Sequence, residues 1–212
     1  MPYRGRILAV GIVLLFNIIR YFYYHQYLAL PFNWTFFILT AIFLSIAWWG
    51  GKQFDKAKYL SERDPLTGTY NRRIVEQYFY QAAKICDIKK QSLGVIMLDL
   101  NKFKEVNDEY GHHKGDELLV QVAAALNKFV GKHDLVARWG GDEFVVLVDN
   151  MKEKSADDYV TELQRAITLE SVENFPNVEA SVGYAIYPQH GKSFQKLIQE
   201  ADAYMYQDKK DK

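Results

Sequence analysis

Three acidic residues carry the most direct chemical signal in this 212-residue chain. The segment Leu93–Leu100, LGVIMLDL, is apolar until Asp99, so a carboxylate sits at the C-terminal end of a strand-length hydrophobic run. Ligands of α/β domains gather at such strand ends. Taken alone, Asp99 reads equally as a helix cap or an ion-pair partner. Further along, Gly140-Gly141-Asp142-Glu143 sets two adjacent carboxylates in a glycine turn. They repel one another, and a cation is their natural neutraliser, although Gly-Gly-Asp is also ordinary turn chemistry. If the turn lies beside the strand, Asp99, Asp142 and Glu143 form an oxygen-rich set suited to Mg²⁺. Magnesium binds through a few carboxylates plus substrate phosphates, and its common use is phosphoryl or nucleotidyl transfer. Lys104 follows Asp99 closely enough to pair with a phosphate. Asn107 and Asp116 offer an amide and a carboxylate across the Gly111-His112 loop. Guanine presents adjacent N1 and N2 donors to a carboxylate, whereas adenine does not. Singly, Asn107 also reads as a helix end and Asp116 as an N-terminal helix charge.

These residues need a scaffold. The continuous apolar character of 93–100 predicts a central strand covered on both faces. Asp64-Pro65 breaks the chain before it, and Asn71 is placed to cap a helix running to about Ile88. A helix follows with apolar positions at Leu118, Leu119, Val122, Ala125, Leu126 and Phe129. Leu135–Trp139 and Phe144–Val148 flank the glycine turn as a hairpin. A helix over about 155–169, a strand over about 178–187 and a helix over about 194–209 complete an α/β arrangement, with helices packed on a mixed sheet.

The first quarter is different in kind. Met1 to Phe54 contains no Asp or Glu, and its only Lys and Arg residues are Arg4, Arg6, Arg20 and Lys52. The remainder carries 26 acids against 22 bases. Ile7–Ile19 has Asn17 as its one polar residue, and it runs on past Arg20 into Tyr21–Tyr24. The run 32–49 has no charge and a tryptophan near each end; Pro31 opens it and Gly50-Gly51 closes it. Neither run shows the polar face of a soluble hairpin, and YFYYHQYLAL lacks the small-residue cleavage site of a signal peptide. The expectation is two transmembrane helices, about 7–24 and 32–49, within an anchor over residues 1–50. A helical connector over 51–62 and a domain over 63–212 would follow. Arg4 and Arg6 precede the hairpin and Lys52, Lys56 and Lys58 follow it, so both ends should face the cytoplasm. The single cysteine, Cys86, excludes a disulfide framework, and the balance of 26 basic and 26 acidic residues gives no electrostatic case for nucleic acid.

The segments DPLTGTYNRR (64–73), DLNKFKEVNDEYGHHKGD (99–116), RWGGDEF (138–144) and SVGYA (181–185) resemble, in order and spacing, the motifs of the GGDEF family of diguanylate cyclases. The resemblance covers residues 62–210. It implies a palm-like nucleotide-cyclase fold with a ferredoxin-like core, a central sheet surrounded by helices, here preceded by the two-helix hairpin. It also implies condensation of two GTP into cyclic di-GMP and two pyrophosphates across a homodimer, with two Mg²⁺ per site that Mn²⁺ can replace. By the same resemblance Asp99, Asp142, Glu143 and the Leu100 carbonyl are metal ligands, and Asp142 is the base for the 3′-hydroxyl. Gly140 and Gly141 admit the nucleotide, Asn107 and Asp116 match guanine contacts, His112 a neighbouring substrate contact, and Lys104 and Lys209 phosphate contacts. A bacterial cytoplasmic membrane would be its location.

The departures are local. The family's product-inhibition motif, Arg-x-x-Asp, keeps Asp134 but has Gly131 at the arginine, so that feedback site should be absent. Asn101 and Thr69 replace a common Asp and Leu. A further phosphate-binding arginine of the family would fall beyond Lys212, and its loss would weaken GTP affinity. The competing expectation is therefore an inactive domain that binds GTP or serves as an interaction module.

Overall fold

A computed structural model of the chain describes residues 3–31, 33–171 and 178–210. They separate into two compact units, Met1–Ser61 and Glu62–Lys212. Phe32, expected above to begin the second apolar run, lies outside the described residues.

In the first unit α1 spans Arg4–Tyr21 and passes into a wider π-helical stretch, Phe22–Tyr27; α2 spans Trp34–Glu62. Gly50-Gly51, read from sequence as the stop of the second run, does not end the helix: α2 runs through it into the connector, which is helical as expected. The glycines serve contact instead. A Cβ on Gly51 would lie 2.6 Å from Arg6 Cα and 2.9 Å from Gly5 O, so only a residue without a side chain lets the two helices touch here. Next to the contact, the Asp55 carboxylate accepts from the Gly5 N–H at 2.7 Å and from Arg6 Nε at 3.1 Å, satisfying a free amide in the first turn of α1. Asn17, the polar interruption of the first run, bridges the helices: its amide donates to Val13 O, and its Oδ1 lies 2.8 Å from the Thr40 hydroxyl.

The second unit is built on one five-stranded sheet of order β1-β3-β4-β2-β5. The strands are β1 Tyr70–Asn71, β2 Leu93–Leu100, β3 Leu135–Gly140, β4 Glu143–Asp149 and β5 Ala180–Tyr187. All neighbours are antiparallel except β1 and β3. The helices are α3 Arg72–Lys89, α4 Phe103–Tyr110, α5 His112–Phe129, α6 Ala156–Ser171 and α7 Phe194–Lys210. Asn71 stands at the N-cap of α3 as expected, but without a side-chain capping bond.

Period-two alternation divides the core. Ile96, Leu98 and Leu100 of β2 join Phe144, Val146 and Val148 of β4 against α5 and α6. Val95 and Met97 join Val145 and Leu147 on the other face, against α3 and α7. Both faces are covered, which is why β2 reads as an almost unbroken apolar run. Helix α7 lies so close to β5 that a Cβ on Gly183 would sit 2.1 Å from Ala201 O and 2.2 Å from Met205 N.

Candidate active site

The register of the sheet assembles the acidic set. β2 pairs with β4 from Leu93↔Asp149 to Asp99↔Glu143, and with β5 so that Asp99 faces Ser181. The condition set by the sequence, that turn and strand be neighbours, is met. Asp99 and Glu143 have the parity of Val95, Met97, Val145 and Leu147, so they rise on the face that α3 and α7 cover. Asp142 sits in the turn, and its carbonyl accepts from the Leu100 N–H at 3.4 Å. Lys209 of α7 reaches Asp99, with Nζ 2.5 Å from Oδ1. The bland expectation for Asp99, an ion-pair partner, therefore holds.

Burial, with the field of Asp99 added, pushes the Asp142 carboxyl above the usual carboxylate range. Burial does the same to Glu143, reinforced by Asp99, Asp142 and Asp202 and opposed by Arg72. The hydrogen bond to Asp99 raises the Lys209 ammonium above the ordinary lysine value. Asp99 and Glu143, paired by strand register, and Asp142 in the adjoining turn are donors of the type a hard divalent cation takes. Among the described residues no group of three or more His, Cys, Asp or Glu is already drawn in to metal-holding geometry.

Sequence reasoning missed the clamp on the turn. Arg138 donates through Nε and Nη2 to Gly141 O, at 3.0 and 2.7 Å, and through Nη1 to Asp64 Oδ1 at 3.3 Å. Asp64 also accepts from the Thr67 N–H at 2.9 Å and its hydroxyl at 2.8 Å. The 64–69 loop and the glycine turn are thereby tied together. The available signal was an arginine directly ahead of the glycine turn, with an Asp-Pro loop upstream. A second missed residue is Arg72, which stacks over Trp139 at 4.2 Å and acts on Glu143. A third is Asp208, whose carboxylate accepts from the Val182 N–H of β5 and from Gln164 of α6, both at 3.0 Å. That fastening holds the end of α7 from which Lys209 extends.

The expected base-recognising residues form a second group. Gly111, at φ 83°, separates α4 from α5 in a backbone conformation that a side chain would strain. The two helices fold so closely that a Cβ on Gly115 would lie 2.0 Å from Asn107 Oδ1. Asn107 thus lies against the helix that carries Asp116. An open depression of about 450 Å³ is lined by Leu66, His113, Asp116, Glu117, Val120 and Gln121. The Gln121 Oε1 is buried there with no hydrogen-bond partner. Lys104, His112 and Asp116 are exposed. Gly141 faces open space, while a Cβ on Gly140 would meet Glu143 Oε2 at 3.3 Å. Asp134, matched above by resemblance to the acid of the product-inhibition motif, accepts from the Gly131 N–H through Oδ2 and the Asp149 N–H through Oδ1, both at 2.8 Å.

Comparison with known proteins matches the same region. A family model described as "Diguanylate cyclase, GGDEF domain" covers residues 61–212. The bifunctional diguanylate cyclase/cyclic di-GMP phosphodiesterase MucR of Pseudomonas aeruginosa is 36% identical over 149 residues, covering 69% of this chain and 22% of that protein. The cyclic di-GMP phosphodiesterase PdeR of Escherichia coli is 35% identical over 156 residues, covering 72% and 23%. Diguanylate cyclase TpbB of P. aeruginosa is 33% identical over 151 residues, covering 69% and 34%. The solved GGDEF domain of TpbB superposes with a TM-score of 0.62 at 30% identity, covering 71% of this chain and 90% of that domain. The match thus spans between about a fifth and a third of the full length of these three relatives.

Proposed function

The chain belongs to the GGDEF domain family, and from that premise we propose that residues 63–212 condense two GTP molecules into cyclic di-GMP. The observation that carries this reading is the β2–β4 register, which sets Asp99 opposite Glu143 and beside the Asp142 turn. Asp99, Asp142 and Glu143, with the Leu100 carbonyl, would hold two Mg²⁺ ions, or Mn²⁺ in their place. Such ions, when bound, would neutralise the triphosphate and lower the pKa of the attacking hydroxyl.

The chain's own residues do the rest. Asp116 accepts from guanine N1–H and N2–H, Asn107 bonds the base edge, and His112 makes a neighbouring contact to the substrate. Lys104 and Lys209 take phosphate oxygens. Asp142 would receive the 3′-hydroxyl proton. The 3′-oxygen then bonds to the α-phosphorus of the other nucleotide as the bond to pyrophosphate breaks. One domain binds one GTP, so the reaction needs a two-fold pair of domains, each presenting its nucleotide to the other.

Placement in a bacterial cytoplasmic membrane, as a hairpin with both ends in the cytoplasm, completes the reading. It is supported by two helices long and apolar enough to cross a bilayer. Their large side chains face outward: Ile7, Leu8, Ile12, Leu15, Ile38, Ile42 and Ile46 are all exposed. In water so wide an apolar surface would be a strong aggregation liability. One observation favours the second reading, a GTP-binding or interaction module: the Lys209–Asp99 pair already neutralises one carboxylate of the set.

Incubating the solubilised full chain with GTP and Mg²⁺, beside an Asp142→Asn control, tests the proposal. Cyclic di-GMP from the wild type alone is the expected result. GTP binding without product would leave the module.

A further inference from the structure

The outer end of the hairpin holds a cation that the chain does not neutralise. Arg20 lies 16 residues along α1 from Arg4, about 24 Å at helical rise, toward the far side of a hydrocarbon layer of about 30 Å. Its Nη2 donates to Phe36 O and to the Thr40 hydroxyl, both at 2.9 Å, and its guanidinium stacks on the Phe36 ring at 4.1 Å. These contacts are neutral. The Nε–H is buried with no hydrogen-bond partner. Arg6, by contrast, has Asp55. No such acid exists for Arg20 in its own surroundings, because residues 1–54 contain neither Asp nor Glu. A half-buried cation with an orphaned, buried donor is a ready partner for an external anion.

Space for one lies beside it. A cavity of about 410 Å³ is lined by Arg20, Tyr24, His25, Asn33, Thr35 and Phe36, with Leu30, Pro31 and Leu39 as its apolar wall. A lining that combines arginine, hydroxyl and amide donors with hydrocarbon matches a phosphate group on an apolar body, or a free phosphate.

We propose that Arg20 and this cavity form a binding site for one phosphate-bearing anion, supplied by an acidic phospholipid headgroup or by inorganic phosphate from the outer solution. The proposal rests on the membrane placement above, and flotation with phosphatidylcholine vesicles tests that placement independently of Arg20. The site itself is tested on the full chain in neutral detergent. In one arm native mass spectrometry counts retained phosphatidylglycerol against phosphatidylcholine. In the other, inorganic phosphate is titrated against chloride at equal ionic strength, with tryptophan fluorescence as the readout.

The expected result is one anionic lipid, or one phosphate, bound at least tenfold more tightly than its control. Arg20→Gln should abolish that preference and Arg4→Gln should keep it. Leu30→Trp, which fills the cavity and spares the cation, should weaken binding about tenfold, and it decides the matter if Arg20→Gln lowers helicity. Preference in the lipid arm identifies a headgroup; a response in the phosphate arm alone identifies the free ion. A wild type with no preference in either arm overturns the proposal, as does a preference that survives both substitutions. A chain that binds anion through Arg20 yet fails to float overturns only the membrane placement.

Discussion

Gly115→Ala separates fold from base recognition in one substitution. The new methyl would be 2.0 Å from Asn107 Oδ1 and 3.2 Å from Phe103 Cζ, so the amide must retreat by roughly 1.4 Å to reach ordinary contact. The obstructing atom ends a flexible side chain, which makes the movement cheap, about 0.5–1.5 kcal/mol for an off-rotamer Asn. Replacing a helical glycine by alanine returns about 0.5–1 kcal/mol, so the two effects nearly cancel in stability. Binding has no such compensation. A hydrogen bond to the base, worth about 0.5–1.5 kcal/mol, is lost or misaimed, and KM for GTP should rise up to about tenfold. Thermal unfolding and steady-state kinetics on the same preparation, with Asn107→Ala alongside, provide the assay. An unchanged KM in both variants would refute the role given to Asn107. Unfolding lowered by more than about 10 °C would refute the argument that only a side-chain tip must move.

Gly183→Ala meets backbone rather than a side-chain tip; it should cost about 3 kcal/mol or more in urea unfolding, with α7 pushed off β5 and Lys209 withdrawn from Asp99. Burial alone would raise the Asp64 carboxyl, but the Thr67 N–H, the Thr67 hydroxyl and Arg138 hold it below the usual range. Its stabilising share is therefore complete above the unfolded value, about 3.9, and is lost as pH falls through the lower folded value, so Asp64→Asn should flatten the acid limb of a stability–pH curve. Asp142 has the opposite sign: with its folded value raised, ionisation costs stability at neutral pH, and the cost is relieved as pH falls through that value. Asp142→Asn should accordingly melt a few degrees higher than wild type without metal, and gain less from added Mg²⁺; a lower melting point would contradict the electrostatic account.

The parts of the fold that were legible are those where one physical cause dominates. β2 could be bounded from sequence because both its faces are covered and its polar residue falls at the end. The β3–β4 hairpin follows from two short apolar runs on either side of a glycine turn. β1 was not legible, since two residues carry no periodicity and Tyr70–Asn71 exists as a strand only because β3 is beside it. Gly50-Gly51 shows the ambiguity of a local signal. Glycine lowers helix propensity wherever it occurs, and only the partner helix at Gly5–Arg6 reveals that its small size, not its flexibility, is what the position uses.

The site divides along the same line. Asp99, Asp142 and Glu143 were identifiable as a conditional set, since burial pattern and turn chemistry place each one at the end of an element. What no local pattern contains is parity combined with topology. Asp99 and Glu143 must lie on one face of the sheet, and α7 rather than α5 must cover that face, before Lys209 can reach Asp99 across 110 positions of chain. Arg138 and Asp64, 74 positions apart, are harder still. Each looks like a surface charge until the 64–69 loop and the glycine turn are brought together. The residues that would carry the chemistry are thus legible as types, whereas those that hold them in place act through long-range contacts that only the folded chain displays.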